Sequence, residues 1–214
     1  MLENKLNEYL EQSKLRISQE NQKIMADSAQ LLVDQHIGEN ALKEGDYLPE
    51  FNLKNASGDL VSSKELLSQG PIIINFYRGS WCPYCNLELK AYQEILGEIK
   101  NNQANLVAIS PELPDTSLSL VEKHQLEFEV LTDLDNLLAK KLGLVFQLDQ
   151  KLIDVYTNSG HDLAKAQGNR RFELPLPATY VVASDGKILL AFINSDYRKR
   201  LEPSTALQAI IDNK

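Results

Sequence analysis

The chain has 214 residues, of which 43% are apolar and 24% charged, with both signs interspersed. That composition predicts one globular domain with an appendage and excludes wholesale disorder. The formal net charge of −8 argues against nucleic acid and anionic membrane surfaces as partners, and no apolar run reaches the roughly 20 residues that span a bilayer.

Residues 1–10 mix charge with isolated apolar side chains and show no continuous apolar stretch. This predicts no secretory leader and a cytoplasmic location. Leu2, Leu6, Tyr9, Leu10 and Leu15, then Ile24, Met25, Leu31 and Leu32, recur at roughly helical spacing. The pattern predicts a helical extension over 1–40, as one long helix or a hairpin ending near Gly38. The extension packs on the remaining domain, 41–214, or forms a homodimer.

From Ala41 onward strand and helix signals alternate. Residues 47–53 read as extended, 55–59 as a turn, and Ser62 with Glu65 as a capping box starting a short helix that ends at Gly70-Pro71. A buried strand is expected over 72–77 and a helix from after the cysteines to about Lys100. Another strand follows over 105–110, then a helix over about 115–124, a strand over 129–132, and a helix over 136–142 stopped by Gly143. Residues 147–173 are polar and irregular, either a functional loop or a segment with short helices of its own. Strands near 178–182 and 188–193, joined through Asp185-Gly186, read as an antiparallel hairpin, and a terminal helix follows over 205–212. Together these elements predict a mixed α/β sheet with helices on both faces.

The only two cysteines stand in Trp81-Cys82-Pro83-Tyr84-Cys85, between the 72–77 strand and the next helix. A Cys-x-x-Cys pair at such a junction predicts a redox-active dithiol and, with this element pattern, a thioredoxin-like fold. If the helix starts after Cys82, then Cys82 is its cap, and Pro83 takes the first helical position, where its missing N–H costs nothing. Cys82 is then the exposed nucleophile and Cys85, one turn in, the resolving thiol. Trp81 shields the pair and offers substrate an apolar contact. A zinc site needs about four ligands, and the three histidines, His36, His124 and His161, are scattered along the chain; no metal and no cofactor are expected. Pro177 before the late strand, if cis, sets the Leu176 backbone to pair with a substrate peptide; if trans, it merely ends a loop. Arg78 is either a solvated loop residue or a group that lowers a thiolate pKa, and Glu88 either a surface residue or a buried proton acceptor. Arg170 and Arg171 read as an exposed basic pair, and residues 197–200 as a structural positive patch.

The stretch Phe76-Tyr77-Arg78-Gly79-Ser80-Trp81-Cys82-Pro83-Tyr84-Cys85-Asn86-Leu87-Glu88 resembles the active-site segment of peroxiredoxin-like proteins. These form the alkyl hydroperoxide reductase/thiol-specific antioxidant (AhpC/TSA) group of the thioredoxin superfamily. Residues 45–51, the Pro177-Ala178-Thr179-Tyr180 strand with Asp185-Gly186-Lys187, and residues 196–203 resemble other parts of that group, so the likeness covers about 41–214. The resemblance implies an antioxidant thiol oxidoreductase that reduces hydrogen peroxide or organic hydroperoxides, reset by a thioredoxin- or glutaredoxin-type donor. Aligned on Phe76-Tyr77, the peroxide-attacking position falls on Cys85, with Cys82 as its partner. The family's proline then falls on Arg78, its threonine on Cys82 and its arginine at or near Pro177, with Arg78 a possible replacement for that arginine. Two other readings stay open: a disulfide oxidoreductase with Cys82 as nucleophile, and a redox-sensing interaction protein.

Overall fold

The computed structural model describes residues 1–213. The unbroken apolar run predicted as a strand becomes β3 (Ile72–Phe76), all five residues buried. Such a run is stable only where both faces of the sheet are covered. Parallel neighbours β4 (Asn105–Ser110) and β5 (Glu129–Thr132) lie on one side, and the antiparallel pair β8 (Ala178–Val182) and β9 (Ile188–Ile193) on the other. With β1 (Asn52–Asn55) and β2 (Leu60–Ser62), the seven-stranded order is β2-β1-β5-β4-β3-β8-β9. This is the mixed sheet of the expected thioredoxin-like α/β fold.

Side chains alternate across the sheet. Ile73, Leu106, Ala108, Val130 and Val181 face a core completed by α4 (Pro83–Glu94), α5 (Leu96–Asn101), α6 (Pro114–His124) and α10 (Pro203–Ile211). Ile72, Ile74, Phe76, Val107, Ile109 and Leu131 face the other core, closed by α3 (Ser63–Gln69) and α7 (Leu137–Lys141).

The N-terminal segment is a helical hairpin, α1 (Leu2–Arg16) and α2 (Gln19–Asp34). Leu2 and Leu6 are buried in the same core as Leu89 and Tyr92 of α4. The first backbone N–H groups of α1, at Leu2 and Glu3, donate to the Glu202 carboxylate at 3.0 and 2.8 Å. A helix has no acceptors of its own for these donors, and an anion suits its positive end. α2 lies against α8 (Gln150–Asn158), with Ser28 Oγ donating to Asp149, whose other oxygen caps α8 at Leu152 N.

Several local expectations change. The Ser62–Glu65 capping box does not form, because Ser62 makes no cap bond and Ser63 Oγ instead accepts from Phe51 N. In the 47–53 segment Tyr47 makes only an isolated bridge to Lys187, and the strand begins at Asn52. The helix after the cysteines breaks at Ile95, whose N–H bonds back to Tyr92 O, so that α5 turns Leu96 and Ile99 into the core. Residues 147–173 hold α8 and α9 (Leu163–Gln167). This segment is flanked by a second sheet of β6 (Val145–Gln147) and β7 (Glu173–Pro175), which the sequence did not suggest.

Leu6→Ala removes a side chain that joins α1 to the α4 core. It is expected to lower unfolding free energy by about 2–3 kcal/mol, read as a shifted urea midpoint in one transition with an unchanged m-value. A separate early transition for the N-terminal helices would show that they do not unfold with the sheet.

Candidate active site

The chain leaves β3 at Phe76 and reaches Cys82 through a tight loop. Gly79 has φ +149°, and a Cβ there would lie 2.3 Å from Trp81 Nε1 and 2.8 Å from Glu112 Oε1. Only glycine accepts both that dihedral and that crowding. Glu112, which sequence reasoning missed, ties the loop down: it is 1% exposed and accepts from Ser80 N at 2.8 Å and Ser80 Oγ at 3.0 Å. Asn86 Nδ2 donates to Ser80 O from the helix side. Cys82 caps α4 and Pro83 opens it, as the spacing predicts. Cys85, Glu88, Leu89 and Tyr92 then share the buried face of α4, at the i, i+3, i+4, i+7 spacing of one helix side.

Both cysteines are free thiols. Each has its own guanidinium. Arg78, 2% exposed and therefore no solvated loop residue, places Nη1 3.9 Å from Cys82 Sγ while Nη2 donates to Tyr156 OH. Its guanidinium carbon lies 4.4 Å from the Tyr197 ring centre, 4.8 Å from Trp81 and 5.5 Å from Tyr156. On the other sulfur, Arg200 Nη2 stands 3.5 Å from Cys85 Sγ, and Arg200 Nη1 pairs with Glu88 Oε2 at 2.5 Å, both side chains fully inside. Tyr197 O accepts from Arg200 Nε and Nη2 at 3.0 and 2.7 Å and fixes the guanidinium.

The two arginines differ in one respect. Arg200 has a carboxylate partner; Arg78 has none among the described residues. A buried guanidinium needs an anion, and among the described residues Tyr156 and Cys82 are the ionisable groups in direct contact with Arg78. Burial works against a Cys82 thiolate, but the hydrogen bond from Cys85 and the charges of Arg78 and Arg200 outweigh it and hold the Cys82 thiol at about 5. Burial and the neighbouring Cys82 anion push the Cys85 thiol well up. The two thiols titrate as a pair, with the first negative charge favoured at the helix cap.

Cys82, expected to be exposed, is 1% exposed and Cys85 fully buried; Cys82 is among the residues lining a cavity of about 540 Å³ and Cys85 is not. The wall includes Trp81, Pro83, Tyr84 and Tyr156 from the domain, and Tyr9, Leu10, Ile17 and Met25 from the N-terminal hairpin. Trp81 packs on Tyr156 and His161, and Tyr84 meets Tyr9 and Tyr197 edge to face. Trp81 and Tyr84 thus lie where the motif suggests. Of the two alternatives at Pro177, the trans one is found: every peptide bond among the described residues is trans. Leu176 is fully buried and its N–H donates to Leu144 O at 2.8 Å, so its backbone is spent on the fold and offers no edge to a substrate. Residues 197–200, read as a structural positive patch, are structural here: they bring Tyr197 and Arg200 to the dithiol across more than a hundred residues. Arg170 and Arg171 are exposed as read.

A free dithiol at the start of the helix that follows β3, an interior strand of this sheet, is the arrangement of a thioredoxin-fold thiol oxidoreductase. Residues 45–191 match the AhpC/TSA family, and the chain belongs to it. Peroxiredoxin Bcp of Escherichia coli is 27% identical over 105 residues, 49% of this chain and 67% of that protein. A relative from Mycobacterium tuberculosis is 27% identical over 153 residues, 72% of this chain and 86% of its own length. The chain spans about two thirds of the length of the first curated relatives it matches. Among solved structures, the peroxidoxin BcpB of Mycobacterium tuberculosis superimposes with a TM-score of 0.64 at 20% identity, covering 81% of this chain and 99% of that one. A peroxiredoxin 6 mutant from Arenicola marina gives 0.64 at 16% identity, covering 79% and 72%. These likenesses extend to the fold. Arg200, Tyr197 and the N-terminal hairpin lie outside the family-matched span.

Burial pushes the Glu112 carboxyl from the ordinary 4.5 up to about 7, against the Ser80 hydrogen bonds. The folded state then holds this proton more tightly than the unfolded chain. Its contribution to stability is full below about pH 4.5 and is lost as pH rises through about 7. Glu88 is displaced in the same direction, chiefly by burial. In Glu112→Gln the fall in unfolding free energy from about pH 4.5 to about 8 is expected to shrink by about 2–3 kcal/mol relative to wild type. Parallel curves for the two proteins in urea titrations across that range would contradict this.

Proposed function

We propose that the protein is a thiol peroxidase in which Cys82 is the attacking sulfur and Cys85 the resolving one. The observation that carries this reading is the buried Arg78 guanidinium, which has no carboxylate partner among the described residues, lies 3.9 Å from Cys82 Sγ and lines the same cavity as Cys82. The family register favours Cys85 as attacker, but Cys85 is fully buried, is not among the residues lining the cavity beside Cys82, and its thiol is pushed up. Supporting roles go to Trp81, Pro83 and Tyr84 as cavity wall and cap, to Arg78 as thiolate counter-ion, and to Glu88 as the partner that orients Arg200. Leu176 and Pro177 have no role in this scheme.

In the first step the Cys82 thiolate attacks the terminal oxygen of the hydroperoxide. The S–O bond forms as O–O breaks, sulfur is oxidised to a sulfenic acid, and the departing alkoxide takes the proton of the Cys85 thiol. Arg78 and Arg200 stand where negative charge moves between the sulfurs and the leaving oxygen. The Cys85 thiolate, steadied by Arg200, then attacks Cys82 sulfur. The S–S bond forms, S–O breaks, and hydroxide leaves as water after taking a solvent proton. A dithiol donor of thioredoxin or glutaredoxin type reduces the disulfide by exchange. A cavity sized for a small molecule favours a hydroperoxide over a protein disulfide as the oxidant.

The reading retains a helical extension over 1–40 on a redox domain over 41–214, in the cytoplasm. No described helix is long and apolar enough to cross a membrane. Leu2 and Leu6 are spent on the chain's own core, which favours packing over homodimerisation through the extension.

Mass spectrometry after one equivalent of peroxide tests the order of attack. Cys85→Ser is expected to trap a sulfenic acid on Cys82, and Cys82→Ser to react no faster than an ordinary free thiol. Stopped-flow oxidation should be half-maximal near pH 5, where the Cys82 thiol titrates, and level above that. Rapid sulfenic acid formation on Cys85 in Cys82→Ser would reverse the assignment.

A further inference from the structure

Arg78 borders two cavities. The large one, beside Cys82, is the space that the hydroperoxide enters in the proposed cycle. The second measures about 40 Å³ and lies among α2, α8 and β6, with Ala29, Phe146, Leu152 and Leu176 in its wall. Met25, Arg78, Tyr156 and Tyr197 line both. A water molecule occupies roughly 30 Å³, so the second cavity has room for an object of about that size. A halide ion, little larger than water, fits; an organic acid does not.

The guanidinium has one donor to spare. Nη1 faces Cys82 Sγ at 3.9 Å and Nη2 donates to Tyr156 OH, whereas Nε is buried with no hydrogen-bond partner among the described residues. The whole side chain is 2% exposed, and a buried donor on a charged group is costly to leave unpaired. Tyr156 supplies no charge, because burial raises its phenol above the ordinary range and keeps it neutral. Arg78 is the only cation in the wall of the small cavity and Asp149 the only acid. Asp149 is already engaged: it accepts from Ser28 Oγ and from Leu152 N, at the positive end of α8.

We infer that Arg78 Nε binds a small monovalent anion of halide size in the second cavity when the dithiol is oxidised. The inference rests on the proposed Cys82 thiolate and adds a ligand site that the cycle does not use. In the reduced protein the thiolate balances Arg78, and a second anion beside it would be repelled. Oxidation takes two electrons from the pair and passes them to the hydroperoxide. The S–S bond forms, O–O breaks, the Cys85 proton goes to the alcohol, and the negative charge of the pair leaves as hydroxide, which takes a solvent proton. Arg78 is then a buried cation with neutral neighbours, and the halide restores the balance through a charge-assisted hydrogen bond from Nε. Because the anion binds one redox state better than the other, its concentration sets how readily the disulfide forms.

Titration of the full chain in glutathione buffers, where glutathione disulfide takes the electrons, measures the dithiol–disulfide equilibrium. Chloride is raised from about 10 to about 300 mM at constant ionic strength, with gluconate, too large for the cavity, as the balancing anion. For a dissociation constant of about 20 mM, the disulfide should gain about tenfold. Bromide soaked into crystals should give an anomalous peak within hydrogen-bond reach of Arg78 Nε in the oxidised protein and none in the reduced one. Ala29 lines the small cavity and not the large one, so Ala29→Val should abolish the chloride effect; where that variant does not fold, diffraction from wild type decides. Only a water at Nε in the oxidised crystal, an equilibrium indifferent to chloride, or a chloride effect that survives in Ala29→Val overturns the inference. Ultraviolet thiolate absorbance separates the two ways of failing. A reduced Cys82 that ionises like an ordinary thiol overturns the thiolate reading and the anion site with it, whereas a thiolate without a halide effect overturns the anion site alone.

Discussion

A guanidinium held out of water without a carboxylate is the constraint around which this site is organised. Arg78 sits at the floor of a cavity, boxed by Trp81, Tyr156 and Tyr197. The ring faces compensate part of its charge, but an isolated buried cation remains costly. In the proposed assignment, a Cys82 thiolate at the cap of α4 is the anion that resolves it. Each part of the surroundings serves this arrangement: the Gly79 turn brings Arg78 back toward the sulfur, Glu112 pins the turn, and Tyr156 on α8 holds the far side of the guanidinium. Arg200 has a different task, because Glu88 already balances it. It presents donors to Cys85 without drawing the pair's first negative charge away from Cys82.

The departures from the family pattern acquire a physical meaning here. In the register that the family resemblance implies, the proline and threonine positions fall on Arg78 and Cys82 and the arginine position at or near Pro177. Two of those changes act together, since the position that loses a threonine gains the sulfur and the position that loses proline gains that sulfur's counter-ion. The guanidinium missing at Pro177 is supplied from the segment after β9, where Tyr197 O grips Arg200 and Glu88 receives it. Cys85 keeps a cationic neighbour although the chain delivers it by another route.

Much of the architecture was legible in the sequence because each signal was local. The β3 run, the Asp185-Gly186 hairpin and the cap-and-proline start of α4 all depend on residues within a few positions of one another. The dithiol was legible for the same reason. What escaped depends on separation. Glu88 and Arg200 are 112 positions apart, and no pattern around either predicts burial as a pair. Glu112 looked like one acid in a proline-flanked loop. The β6–β7 sheet was missed because its strands have three residues each, too short for a period of two to stand out. The Leu176 expectation failed because a proline before a strand says nothing about which carbonyl has already claimed the preceding N–H.

The two N-terminal helices give the catalytic cycle an asymmetry in time. With α1 and α2 docked, the space over Cys82 admits a molecule of tens of atoms at most, and Cys82 itself is 1% exposed. In the proposed cycle a small hydroperoxide enters that space, whereas the surface sulfur of a folded donor has to pass side chains of α1, α2 and α8 that line it. The two half-reactions thus ask opposite things of the same thirty-odd residues, and the clasp of α1 by Glu202 and the α4 core bears on the second of them.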